Sequence, residues 1–229
     1  EMTKIDSNEI FNVNIGIMGH IDSGKTSLCK RLSEVISTAS MDRNPQSVER
    51  GITIDIGFSA FFINVFKSLK DKLKLESDYF QFTMVDCPGH ASFIKSVIAG
   101  ASIIDIMILV VDVTKGIQIQ TAECLALGEI MKLPIVVALS KMDLLSQEDK
   151  ENINGQLNKV KKIISNILVK SSYKNKNNFN IIELFPDQYP HELVQSILTS
   201  SSEIHRNVLG DKSMIVDHCF NIKGKGTVL

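Results

Sequence analysis

Three features of the sequence predict a doubly wound α/β domain with a mostly parallel sheet, followed by the start of a β-barrel domain. Short β-branched runs alternate with stretches of helical periodicity, the order expected when parallel strands are joined by crossover helices. A glycine-containing loop, Gly19-His20-Ile21-Asp22-Ser23-Gly24-Lys25-Thr26, stands between the first apolar run and the first helical pattern. The chain has 229 residues, 44% hydrophobic and 22% charged, enough to bury one sizeable core and little more.

The elements follow in order. Phe11 to Met18 reads as a strand, and Leu28, Leu32, Val35 and Ile36 as the apolar face of the helix after the loop. A polar stretch, 37–51, precedes two strand-like runs, Ile52 to Val65 and Tyr79 to Val85, read as a hairpin joined by a Lys-rich connection from Lys67 to Asp78. Ile103 to Val111, a helix around Gln118 to Lys132, and Pro134 to Leu139 repeat the strand and helix alternation. Between Ser146 and Val169 the residues Ile153, Leu157, Val160, Ile164 and Ile167 recur at helical spacing, with Ser146 and Asp149 in a capping-box pattern. Lys170 to Asn178 offers almost nothing to bury and reads as a solvated loop. His191 to Thr199 puts Leu193, Val194, Ile197 and Leu198 on one helical face, and from Met214 alternating residues flank a Gly224-Lys225-Gly226 turn. The expected organisation is an N-terminal extension (1–10), a main domain (11–205), and a linker with the first strands of a truncated β-barrel domain (206–229).

A net charge of −1 gives no global electrostatic signature of a nucleic-acid binder, and DNA is not expected as a partner. Cys29, Cys87, Cys124 and Cys219 lack the paired spacing of zinc or redox motifs and read as reduced thiols. The longest apolar run, near Ile106 to Val111, is too short to span a bilayer, and Glu1 to Ile10 lack a signal-peptide pattern. The expectation is a cytoplasmic chain without membrane association.

The loop from Gly19 to Thr26 has the spacing of a phosphate cradle. Its glycines let successive N–H groups face an anion, and the helix that follows presents its positive end. Lys25 supplies a mobile charge for β and γ phosphates, and the Thr26 hydroxyl is a natural Mg²⁺ ligand. Asp86-Cys87-Pro88-Gly89-His90 closes the next long strand and puts a carboxylate at its carboxyl edge, where ligands bind in open α/β sheets. Asp86 can hold Mg²⁺ through water, and Gly89 can bring its N–H close to a γ-phosphate. Taken alone, Asp-x-Pro-Gly is a turn sequence; its place after the phosphate loop makes it a candidate sensor. Arg50-Gly51-Ile52-Thr53 lies between the two, with Thr53 as the candidate second Mg²⁺ hydroxyl on a loop that would order with the γ-phosphate.

Together these motifs resemble translational GTPases. Within that group the match is closest to the eukaryotic selenocysteine-specific elongation factor family, through the phosphate loop with Ser23 and through Pro45-Gln46-Ser47-Val48-Glu49-Arg50-Gly51-Ile52-Thr53. Val110-Val111-Asp112-Val113-Thr114-Lys115-Gly116-Ile117-Gln118 is similar too, and Asp217-His218-Cys219-Phe220 with Gly224-Lys225-Gly226-Thr227-Val228 resembles the start of that family's second domain. The general elongation factor usually has His where Ser23 stands.

The resemblance implies GTP and GDP as ligands with Mg²⁺, and phosphate contacts from Gly19 and from Asp22, Ser23, Gly24, Lys25, Thr26 and Ser27. It implies Thr26, Thr53 and Asp86 around the ion, and Lys25, Gly89 and His90 in catalysis, His90 orienting the attacking water. Ser140-Lys141-Met142-Asp143 stands where the family has Asn-Lys-x-Asp, so Ser140, Lys141 and Asp143 are the expected base contacts. An Asp at that last position accepts from guanine N1–H and its amino group, which adenine cannot match. Ser140 is too short to replace both Asn contacts, to the base and to the phosphate loop, so weakened affinity is expected. The family's later Ser-Ala turn has no counterpart in Ile181-Ile182-Glu183-Leu184. Implied partners are selenocysteinyl-tRNA, the ribosome, and an RNA-element-binding protein. Another tRNA-delivering factor, or a nucleotide-gated module with little hydrolysis, stays open as an alternative at this stage.

Overall fold

The computed structural model describes residues 10–33, 35–36, 57–65, 67–73, 77–87, 103–145, 150–170, 180–204, 219–222 and 226–228. Strand β1 (Ile10–Gly19) leads into helix α1 (Lys25–Leu32), strand β2 (Val35–Ile36) and strand β3 (Gly57–Asn64). Helix α2 (Lys67–Leu73), strand β4 (Tyr79–Asp86) and strand β5 (Ile106–Asp112) follow. Helix α3 (Ile119–Ile130), strand β6 (Ile135–Ser140) and a 3₁₀ turn (Met142–Leu144) precede helix α4 (Lys150–Lys170), strand β7 (Asn180–Glu183) and helix α5 (His191–Ser201). Strands β8 (Phe220–Ile222) and β9 (Gly226–Val228) pair antiparallel with each other.

The main sheet has the order β2-β3-β4-β1-β5-β6-β7. From β4 to β7 the pairing is parallel, whereas β2, β3 and β4 pair antiparallel. Every residue of β5 and β6 is buried, which is why both read as unbroken apolar runs rather than alternating ones. Side chains of α1 and α5, among them Leu28, Leu32, Leu193 and Ile197, pack on one face. Leu125 of α3 and Leu157, Val160, Ile164 and Leu168 of α4 pack on the other. The doubly wound, mostly parallel architecture is therefore present.

Helix α4 shows how packing outweighs propensity. Gly155, Asn158, Ser165 and Asn166 are poor helix formers, each costing up to about 1 kcal/mol. Burying a large aliphatic side chain returns about 1.5–3 kcal/mol, and α4 buries four. The inward stripe is Leu157, Val160, Ile164 and Leu168, while Ile167, expected in that stripe, is 36% exposed. The stripe advances by three and then by four residues, 157, 160, 164 and 168, so its drift favours Leu168 over Ile167 at the last turn.

Three expectations need correction. Val35 and Ile36 are not the end of the first helix: the chain turns extended at Ser33, and they pair with Ala60 and Ser59 as a short strand. The Lys-rich connection between β3 and β4 holds a helix, α2. Strand β5 begins at Ile106, because Ile104 is buried off the ladder and Asp105 turns its carboxylate to the Asn14 N–H at 2.9 Å. Residues 1–9, 37–51 and 171–179, and the capping pattern at 146–149, lie outside the described residues.

Candidate nucleotide site

The site forms at the carboxyl edge of the sheet, where β1, β4, β5 and β6 end at Gly19, Asp86, Asp112 and Ser140. Central parallel strands put these ends side by side: Ile17 sits beside Asp86, Gly19 beside Val110, and Asp112 beside Ser140.

The loop after β1 needs unusual backbone. Gly19 has φ +143° and Gly24 φ +91°, and a Cβ on Gly19 would come within 2.3 Å of the Val110 carbonyl oxygen. Asp22 is also left-handed, with φ 58°. Such alternation turns main-chain N–H groups toward one point and makes an anion nest. No side chain caps the N-terminus of α1 and no acidic residue lies in its first turn, so its positive end faces the loop uncontested. Lys25 is 6% exposed and donates from Nζ to the carbonyls of Gly19 at 3.2 Å and His20 at 2.9 Å, which lays the ammonium over the loop. Burial lowers its pKa below the ordinary lysine range, with Asp86 opposing. A polyanion would restore the charged form. Ser27 lies exposed in the first turn of α1, and Ser23, within the loop, is fully buried.

Thr26 and Asp86, expected around one cation, meet directly: Thr26 Oγ1 donates to Asp86 Oδ2 at 2.7 Å. A hydroxyl and a carboxylate converging beside a phosphate cradle form the hard oxygen set that suits Mg²⁺. Asp86 is 2% exposed. Its neighbour Cys87 is buried, and burial pushes that thiol up to about 12, so it stays protonated and inert. All four cysteines are free thiols, as expected.

Ser140 binds the phosphate loop. Its hydroxyl donates to the Ser23 carbonyl at 2.6 Å and lies 3.2 Å from the Val111 carbonyl. One of the two contacts expected of an Asn is thus made by Ser, the one to the loop; a single hydroxyl proton already committed there has nothing left to give a base. Lys141 follows in the left-handed conformation, φ 59°, and Asp143 is exposed in the 3₁₀ turn.

Sequence reasoning missed Asp112. Its Oδ2 lies 2.8 Å from Lys141 Nζ, while Oδ1 accepts from the Thr114 N–H at 2.9 Å and the Thr114 hydroxyl at 2.6 Å. Burial pushes this carboxyl up, but the hydrogen bonds from Lys141 and Thr114 outweigh it and hold the pKa below the usual range. The side chain that sets Lys141 in place is 29 residues away in sequence, and only the Asp112 to Ser140 register could have revealed it. Gly89, His90 and Thr53 lie outside the described residues.

Residues 11–207 match the family described as the elongation factor Tu GTP binding domain. The chain belongs to that family. The chain is 44% identical to the mouse selenocysteine-specific elongation factor over 225 residues, covering 95% of this chain and 38% of that protein. It is 35% identical to the selenocysteine-specific elongation factor of Methanocaldococcus jannaschii over 227 residues, 97% of this chain and 44% of that protein. Translation elongation factor SelB from Methanococcus maripaludis, solved in complex with the GTP analogue GppNHp, superposes with a TM-score of 0.67 at 33% identity, covering 96% of this chain and 40% of that one. The domain thus spans less than half the length of these relatives. Among the described residues, no helix is long and apolar enough to cross a membrane.

Proposed function

We propose that this chain binds GTP and GDP with Mg²⁺, hydrolyses GTP, and is the GTPase part of a cytoplasmic factor that delivers selenocysteinyl-tRNA to the ribosome at UGA codons, hydrolysis timing release. The observation that carries the reading is the joining of the phosphate loop to both of its partner motifs, through Thr26 to Asp86 and through Ser140 to Ser23. Ser23 in the loop and the two selenocysteine-specific relatives support this branch over a general elongation factor.

Thr26 and Asp86 fit a Mg²⁺ ion, with Thr53 as a third candidate, and the ion would neutralise charge on the β and γ phosphates. Lys25 stabilises the same charge, and the Gly89 N–H orients the γ-phosphate. His90 positions the attacking water; a neutral imidazole is too weak to deprotonate water outright before the phosphoryl group departs. Lys141 and Asp143 read guanine, with Ser140 bracing the loop beneath. Hydrolysis is slow for the domain alone and accelerates on the ribosome. The hairpin of β8 and β9 begins a second, β-barrel domain that follows a main domain of 11–205, and an RNA-element-binding protein is a further partner.

The test is phosphate release from GTP by the chain with ribosomes, compared with a His90→Ala variant. A release rate above that of the variant supports the enzyme reading. Equal rates sink it in favour of a nucleotide-gated binding module.

A further inference from the structure

Strand β7 is the edge of the sheet beside the base-recognition turn. Its register sets Glu183 beside Leu139, and the Leu184 N–H continues the ladder to the Leu139 carbonyl at 2.8 Å. The residues after Leu184 therefore leave the sheet next to Ser140 and Lys141. This is the place where the sequence offers no Ser-Ala turn; instead it has Phe185-Pro186-Asp187-Gln188-Tyr189.

That segment has little packing of its own. Leu184 and Pro190 are buried at its two ends, while all five residues between them are exposed, Phe185 by 40% and Tyr189 by 48%. A cavity of about 500 Å³ runs beneath it, lined by Lys161, Glu183, Gln188 and His191 among others. Its backbone adds a turn bond, Gln188 N–H to the Phe185 carbonyl at 3.3 Å, and the Tyr189 carbonyl accepts from the His191 N–H at 2.8 Å, with the two rings in edge contact. A long-range tie to the Phe185 and Gln188 carbonyls comes from α1. One terminal nitrogen of Arg31 donates to the Phe185 carbonyl at 2.7 Å and also to the Gln188 carbonyl. The two N–H bonds of that nitrogen lie in the plane of a permanently charged guanidinium, which fixes both carbonyls from one side.

We infer that Arg31 is a positioning residue for the base half of the nucleotide site: it clamps the Phe185 to Gln188 turn against the helix that starts at the phosphate loop. The inference rests on the guanine-nucleotide reading above. It joins the two ends of a bound nucleotide through one side chain, because α1 carries Lys25 and Thr26 at its start and Arg31 two turns later. Without the clamp, the turn beside Ser140 and Lys141 loses its two bonds to α1 and is held less firmly, while the phosphate cradle keeps its own bonds from Lys25 and Ser140.

The experiment is calorimetric titration of the 229-residue chain, as wild type, Arg31→Ala and Arg31→Lys, with GDP, with ADP, and with inorganic tripolyphosphate. The clamp requires Arg31→Ala to weaken GDP on the order of fivefold, the scale of losing a partly exposed charged hydrogen bond, while tripolyphosphate binding stays within about twofold. Arg31→Lys should fall between, since it keeps the charge but replaces a planar donor by an ammonium on a shorter stem. GDP affinity unchanged in Arg31→Ala would overturn the inference, as would an equal loss for GDP and tripolyphosphate, which marks general damage to α1. Wild type binding GDP no better than ADP would instead remove the guanine reading itself.

Discussion

Replacing Ser140 by Ala is the most informative single change in the site. It removes one hydroxyl from a position 7% exposed, leaving almost no cavity but depriving the Ser23 carbonyl of its 2.6 Å donor. The lost bond is worth about 1 kcal/mol, and a buried carbonyl without a partner adds about 1–3 kcal/mol. A total of about 2–4 kcal/mol lowers the melting temperature by roughly 4–16 °C for a chain of this size. Because the freed carbonyl belongs to the phosphate loop, part of the loss falls on binding, and GDP should weaken about tenfold. Ser140→Asn should do the opposite: its amide has two N–H donors, one for the Ser23 carbonyl and one for the base, and a further hydrogen bond of about 0.5–1.5 kcal/mol tightens GDP roughly two- to tenfold. Thermal melts and calorimetric titration with GDP measure both effects. An Ala variant that melts and binds like wild type would refute the assignment of Ser140 as the loop's brace, and an Asn variant that binds GDP more weakly would refute the account of what Ser140 lacks.

Two other changes follow from the same geometry. Asp112→Asn should lose the Lys141 ion pair, and its cost should depend on pH in a defined direction. The folded pKa is depressed, so the contribution is full above the unfolded carboxylate value of about 3.9 and fades as pH falls through the folded value. Denaturant melts of both proteins should show a constant gap between pH 7 and about pH 5 that closes below about pH 4; a gap that widens in acid would contradict the pairing. Gly19→Ala should be destabilising by at least ~3 kcal/mol, since a Cβ 2.3 Å from a backbone carbonyl and a φ of +143° leave no relaxed solution. A variant with wild-type denaturant midpoint would show that the loop backbone is not as constrained as described.

The fold was legible where one physical signal dominated. Strands β5 and β6 are buried on both faces and announce themselves as apolar runs, and the loop from Gly19 to Thr26 carries its own spacing. Legibility failed where two signals competed. Val35 and Ile36 continue the helical spacing of Leu28 and Leu32, yet the antiparallel pairing with β3 wins them. Strand β7 went unread because a four-residue edge strand with one fully buried side chain, Ile182, leaves too short a pattern. Helix α2 hides among lysines. In the site, the phosphate residues were readable because they are contiguous, whereas Asp112 and Arg31 act across 29 and more than 150 residues of sequence. Ser140 was readable as a departure from the family pattern, but that its hydroxyl would keep the loop contact required the distance between β6 and the Ser23 carbonyl.

A sound phosphate cradle beside the Ser140 to Asp143 turn should serve a guanine nucleotide. Calorimetric titration of the chain with GTP, GDP and ATP, each in the presence of Mg²⁺, tests it most directly. GTP and GDP should bind and ATP far more weakly, because an Asp143 carboxylate placed to accept from guanine N1–H and its amino group would find no such donor pair on adenine. Equal binding of ATP and GTP would contradict it.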